Sequence, residues 1–264
     1  MSESLPHDTP ESIATRNIVD MMLGGIRSNV IDTETLIKKV QKRVWSALKK
    51  GYEYDYSLDE SDKFLRERVS SRLKMIVLFV DLVGSTQMTL QLPADKVAKI
   101  ISSFSQEMGF VIKNHYGYVL KYVGDAVIGY FATPDSPLVA ADNAVNCAKS
   151  MISVIEKGIN PILNEYDYPE LSVKIGMDFG ENTIVRYGAD EIKSHVDILG
   201  PGMSIASKIT NLARPNQILI GEDVYEKLHP TLKQSFKEVE WHGNEWNYHD
   251  RETGKLYRVY AYVD

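Results

Sequence analysis

Between Thr33 and about Lys50, the apolar residues Leu36, Val40, Val44, Trp45 and Leu48 recur at helical spacing with lysines between them. This pattern predicts an amphipathic helix whose stripe needs a partner, either a second copy in a coiled pair or its own chain. A second helical run is expected from about Lys63 to Arg72, leading directly into a strand. At Lys74 the pattern changes to the dense run Met-Ile-Val-Leu-Phe-Val, short and β-branched enough for a buried strand, and it stops at Asp81. Val97, Ile100, Ile101, Phe104, Met108 and Ile112 then predict a long helix from about Ala94 to His115, closed by Gly117. The segment GYVLKYVGDAVIGYF reads as two short strands hinged at Gly124 and Asp125, and a further helix is expected from about Ser136 to Lys157.

Farther on, LSVKIGMDFG predicts a strand with ENTIVRYG as its hairpin mate, and HVDILG another short strand. A helix opens at GPGMSIASKITNLA, with Pro201 near the first turn, where its missing N–H does no harm. QILIG is a strand, EDVYEKLH a helix, and the remainder, ending in LYRVYAYV, is β. The order β-α-β-β-α-β with an αβαβ tail predicts an α+β fold of the ferredoxin-like, split-βαβ type: an antiparallel sheet with helices on one face. Residues 1–72 read as an N-terminal helical extension, with a frayed tail over the first dozen, and residues 73–264 as the main domain.

Composition narrows the function. A chain of 264 residues with 44% hydrophobic and 25% charged content can bury a core. Its net charge of -6 argues against general nucleic-acid binding, which needs clustered cations, so an anionic ligand must be held locally. The strands also lack the exposed aromatics and basic face of an RNA-binding platform. Cys147 is the single cysteine, which leaves no disulfide framework and no thiolate metal cage; it reads as a small buried hydrophobe. The polar, acidic N-terminus lacks a secretory pattern, and no run approaches the roughly 18 apolar residues of a spanning helix, so no membrane partner and a cytoplasmic address are expected.

Two aspartates carry the candidate chemistry. Asp81 closes a buried strand and Asp125 sits at a hairpin tip. Either alone is an ordinary turn former. Together, on neighbouring strands, they can converge on an oxygen-ligated divalent ion, because Mg²⁺ takes one or two carboxylates plus substrate phosphates. The small-residue turn Leu82-Val83-Gly84-Ser85-Thr86 enters a helix, where free amides can hold a triphosphate or simply be capped by Ser and Thr.

FVDLVGST, KYVGDAVIGYF and VDILGPGMSIASKI resemble the three signature blocks of the class III adenylate/guanylate cyclases, in order, over about residues 74 to 228. The resemblance implies a homodimer with active sites at the interface, a nucleoside triphosphate substrate and two Mg²⁺ or Mn²⁺ ions per site. Asp81 and Asp125 match the metal pair, assisted by the carbonyl of Leu82, with Val83, Gly84, Ser85 and Thr86 holding phosphates. Lys121 and Asp197 match the pair that reads adenine: the lysine donates to a ring nitrogen and the carboxylate accepts from the exocyclic amine. Guanine presents the reverse pattern, so ATP and a cAMP product are the leading expectation.

The sequence departs from the family pattern after Asp197. Where an asparagine and an arginine usually orient the ribose and neutralise the reacting phosphorus, this chain has Ser204 and Lys208, still four residues apart on one helix face. Lysine lacks the planar fork that grips two oxygens, so either Lys208 acts alone or Lys255 or Arg258 assists. The family's C-terminal Lys-Gly pair is replaced by WHGNEWNYHD. These departures keep two alternatives open: a pyrimidine cyclase making cCMP or cUMP in anti-phage signalling, and a degenerate domain that binds nucleotide without turning it over.

Overall fold

The structure, a computed structural model, describes residues 33–50, 58–133, 136–243, 245–250 and 253–263. The expected frayed tail lies outside them. From Leu36 onward the chain forms one compact unit.

Strand β1 (Arg72–Leu82) is the centre of the sheet because Met75–Leu78 are apolar in both directions and can be buried only with cover on both faces. It pairs antiparallel with β3 (Ala126–Ala132) on one edge and with β4 (Val173–Tyr187) on the other. β2 (Tyr118–Val123) completes the hairpin to β3, β5 (His195–Leu199) pairs with the far end of β4, and β6 (Gln217–Gly221), β8 (Val259–Tyr262) and β7 (Phe236–Glu238) extend the sheet. One neighbour relation is parallel: β6 runs alongside β4, which follows from the helical crossover between β5 and β6.

Helices cover both faces, which corrects the expectation of one. On the first face lies α4 (Ala94–Asn114), with α5 (Pro137–Val154) beside it; a Cβ on Gly129 would meet the Ile112 side chain at 2.9 Å. On the second face, α2 (Asp59–Arg66) and α7 (Pro201–Leu212) bury Leu65 and Ala206 with Met75, Val77, Ile128 and Tyr130. Helix α2 also begins and ends earlier than its sequence pattern suggested, and a turn over 67–70 separates it from β1.

The expected hairpin within LSVKIGMDFGENTIVRYG does not form; β4 runs unbroken for 15 residues. Its glycines serve close packing, not turning: a Cβ on Gly176 would sit 2.3 Å from Thr210 Oγ1, and Gly180 faces Gly202, so α7 lies almost on the strand.

Helix α1 (Thr33–Lys50) resolves the question of its partner in favour of its own chain. Leu36, Val40, Val44, Ala47 and Leu48 are buried, each larger side chain worth roughly 1.5–3 kcal/mol when fully covered. Arg43 grips the buried Glu107 of α4 through Nε (2.8 Å) and Nη2 (2.5 Å) and stacks on Phe110. Burial still holds the Glu107 carboxyl above the usual range despite this guanidinium. Beyond α5 the chain widens into a π-helical turn over Ile155–Ile159 before α6 (Asn160–Asn164). Cys147 is buried in α5 as expected, and burial pushes its thiol pKa up. No helix among the described residues is long and apolar enough to cross a membrane.

Candidate active site

β1 carries Asp81 to the end of the central strand, where it is paired with Ala126 on one side and Lys174 on the other. The hairpin between β2 and β3 turns on two residues, with Gly124 in the left-handed region (φ 62°), and this sets Asp125 immediately before Ala126. The two residues thus stand at neighbouring strand ends, near enough for the charge of Asp125 to act on Asp81. Burial, then the charge of Asp125, raises the pKa of Asp81, while Lys174 opposes the shift. Lys174 was missed in the sequence; its signal was the cross-strand partnership with Asp81, which cannot be known before the register is.

Among the described residues no group of three or more His, Cys, Asp or Glu side chains could hold a metal. The donor set is instead two mutually repelling carboxylates, with the Leu82 carbonyl adjacent in the chain. Hard oxygen donors of this number suit Mg²⁺ or Mn²⁺ completed by substrate oxygens, so the residues fit the ions the family implies.

After Leu82 the chain turns through Gly84 (φ 73°), which caps the seven-residue helix α3 (Ser85–Gln91). Of the four residues expected to hold phosphates, Val83 has its N–H already engaged, donating to the Ser172 carbonyl at 2.9 Å. That amide serves as an anchor for the turn, leaving Gly84, Ser85 and Thr86 at its tip. A cavity of about 790 Å³ opens beside the turn, between α3 and the loop before β4, lined by Val83, Gly84, Gln87, Met88, Asp167 and Leu171 among others.

Lys121 and Asp197 meet directly: Nζ donates to Oδ2 at 2.5 Å, with the side chains 30% and 14% exposed. The second carboxylate oxygen accepts the Ile198 N–H at 2.8 Å. A β-bulge makes this meeting possible. Tyr118 pairs with Tyr130 and Lys121 with Ile128, so the register gains one residue between Val119 and Lys121. Strict alternation would have sent Lys121 to the face opposite Tyr118; the extra residue puts both on the second face. His195 Nε2 lies 3.8 Å from the same Asp197 oxygen, a neighbour the sequence did not single out.

Ser204 and Lys208 lie one turn apart on the exposed side of α7, while Ile205, Ala206 and Ile209 face the core. Neither is hydrogen-bonded or ion-paired to Asp81 or Asp125 among the described residues. Arg258 is instead clamped to Glu222 by Nε (3.0 Å) and Nη2. Lys255 lies with Arg258 in a separate cavity of about 490 Å³ beyond β6. Within WHGNEWNYHD, Trp246 packs into the core and its indole N–H donates to the Tyr257 carbonyl at 2.6 Å.

The chain is similar to known nucleotide cyclases in sequence and in fold. A cytidylate cyclase from Escherichia coli is 27% identical over 165 residues, 60% of this chain and 36% of that protein. One from Staphylococcus aureus is 30% identical over 155 residues, 57% of this chain and 36% of that protein. The match thus spans about a third of the length of these curated relatives. Among solved structures, the adenylyl cyclase CyaB from P. aeruginosa superposes with a TM-score of 0.61 at 21% identity, covering 74% of this chain and 95% of its own. The guanylyl cyclase Cya2 gives 0.62 at 19%, covering 74% and 93%. At such identities these two show a shared fold. The model of the adenylate and guanylate cyclase catalytic domain matches residues 69–253, a range that holds Asp81, Asp125, Lys121, Asp197 and every strand but β8, and the chain belongs to this class III cyclase family.

Proposed function

We propose that this domain cyclises a nucleoside triphosphate whose base carries an exocyclic amine, with CTP as its principal substrate, at the interface of a homodimer. The observation that carries this reading is the 2.5 Å contact between Lys121 and Asp197. A donor beside an acceptor matches a ring nitrogen next to an amine. Adenine offers that edge at N1 and N6, and cytosine offers the same edge at N3 and N4. Guanine and uracil present N–H beside a carbonyl and leave both protein groups mispaired, which is costly in a desolvated site. Hydrogen-bond pattern therefore separates CTP and ATP from GTP and UTP, and ring size must separate the first two. The cytidylate cyclases among the relatives favour CTP; ATP is the second reading, on the same pair of residues.

In the reaction the ribose 3′-hydroxyl attacks the α-phosphorus, a new O–P bond forms, the bond to the β-phosphate oxygen breaks, and pyrophosphate leaves. Asp81, Asp125 and the Leu82 carbonyl would hold Mg²⁺ or Mn²⁺, which would supply charge neutralisation and make the 3′-hydroxyl more acidic. Lys174 adds a positive charge beside the carboxylates, and the tip of the 84–86 turn offers amides to the leaving phosphates. Ser204 and Lys208, contributed by the partner copy, face the ribose and the reacting phosphorus. The intact carboxylate pair argues against a degenerate domain.

Incubation of the purified chain with each of the four triphosphates and Mn²⁺, followed by chromatographic separation, is expected to give cyclic CMP, with less cyclic AMP. Equal turnover of UTP or GTP would sink the reading of Lys121 and Asp197.

A further inference from the structure

Near its end the loop before β4 is pinned by the side chain of Asn160. Asn160 is 8% exposed, and its amide makes two hydrogen bonds to a single residue: Nδ2 donates to the Leu171 carbonyl at 3.0 Å and Oδ1 accepts the Leu171 N–H at 2.8 Å. The next carbonyl along, that of Ser172, accepts the N–H of Val83, and the residue after it, Val173, pairs with Leu82. Three consecutive residues thus connect Asn160 to the turn that follows Asp81.

Asn160 is itself placed by an unusual support. It directly follows the π-helical turn, and α1 packs on that turn so closely that a Cβ on Gly158 would sit 2.8 Å from Val40 Cγ1. Gln41 Nε2 donates to the Lys157 carbonyl at 2.8 Å. A π turn contains one more residue than the α turn it replaces, so its retention decides the direction in which Asn160 emerges. An asparagine that satisfies two buried backbone groups is first a structural residue. What distinguishes this one is that the backbone it holds is anchored, one residue later, to the candidate triphosphate turn.

The geometry points to Asn160 as a positioning residue for the turn over Val83–Thr86, acting through Leu171 and Ser172 on the grip of the β and γ phosphates. This inference rests on the reading of that turn as the triphosphate holder. The test uses the full chain, with Mn²⁺-pyrophosphate as the probe, because pyrophosphate is the fragment the turn would hold. Binding is measured by calorimetry and turnover of CTP is followed in parallel.

Asn160→Ala is expected to weaken pyrophosphate binding and raise the KM for CTP by about five- to tenfold, the worth of a lost hydrogen-bond pair, with a smaller change in kcat. Asn160→Asp keeps the acceptor for the Leu171 N–H but turns a second acceptor on the Leu171 carbonyl, so it should weaken binding at least as much as Asn160→Ala; Gln41→Ala, which loosens the support under the π turn, covers the case in which neither Asn160 variant folds and should raise the KM by a smaller factor. Asn164→Ala, at the other end of α6 and donating only to the exposed Glu170 side chain, should match the parent. The inference is overturned if Asn160→Ala and Asn160→Asp lower only the melting temperature, or if Asn164→Ala shifts binding equally. Gly84→Val separates the two levels: at φ 73° a β-branched residue distorts the turn itself. If Gly84→Val weakens pyrophosphate binding and the Asn160 variants do not, the turn keeps its role and Asn160 loses its own. If Gly84→Val changes nothing, the parent reading of the turn fails, and the role of Asn160 with it.

Discussion

Replacing Asp197 by Asn tests base recognition with almost no change in volume. In the parent the carboxylate accepts from Lys121 and from the Ile198 N–H and keeps lone pairs for a substrate amine. The amide can still accept through its oxygen, but Lys121 loses its counter-charge in a site where Asp197 is only 14% exposed. A charge-assisted hydrogen bond is worth roughly 1.5–3 kcal/mol, and each 1.4 kcal/mol is tenfold, so kcat/KM for CTP should fall by about 10- to 100-fold. UTP should lose less, because the new NH₂ can donate to its O4. The preference for CTP over UTP, measured as a ratio of kcat/KM values in one mixed-substrate assay, should therefore shrink by at least about tenfold. A ratio that stays within about twofold of the parent's would show that Asp197 does not face the base, even if overall activity falls.

Other perturbations have equally definite signs. Asp81→Asn or Asp125→Asn should abolish Mn²⁺-dependent turnover, as chelation should in the parent. Because burial and Asp125 raise the Asp81 pKa in the fold, ionised Asp81 is a burden without metal, and the Asp81→Asn melting temperature should hold or rise. Asp178 is fully buried, with Tyr257 Oη donating to Oδ1 at 2.7 Å and no partner for Oδ2 among the described residues, and burial lifts its pKa well above the usual range. A raised folded pKa gives stability that is complete below the ordinary value of 3.8 and lost as pH climbs through the folded value. Asp178→Asn should accordingly flatten the decline in melting temperature that begins as pH rises above 3.8; an unchanged slope would mean that the carboxyl is not the titrating group. Arg43→Ala leaves Glu107 buried without its partner and should cost about 2 kcal/mol in denaturant unfolding. That is below the roughly 3–5 kcal/mol of a fully buried pair because Arg43 is 34% exposed. Adding Glu107→Gln should recover part of the loss.

The parts of the site that were legible from sequence are those in which local pattern and chemistry coincide. The apolar run ending at Asp81 signals a buried strand and Gly124-Asp125 between alternating runs signals a tight turn, so the placing of both aspartates at strand ends emerged from two local signals. Glycine misled in β4, where Gly176 and Gly180 mark close approach of α7, an event decided by residues more than twenty positions away. The cover on both faces, the role of Lys174 beside Asp81 and the anchoring of Val83 all depend on register between strands distant in sequence. The same holds for α1: its stripe announced a partner, but only the buried Glu107 and the small Gly158 show where it binds.

The extra residue between Val119 and Lys121 behaves like an insertion in a reading frame. Removing one residue there would leave the hairpin tip and Asp125 in place yet invert the side on which everything from Tyr118 back toward α4 emerges, or else turn Lys121 away from Asp197. If Lys121 and Asp197 read the base as proposed, substrate choice depends on a count of residues as much as on their identity, and a one-codon deletion would silence base reading while sparing both side chains.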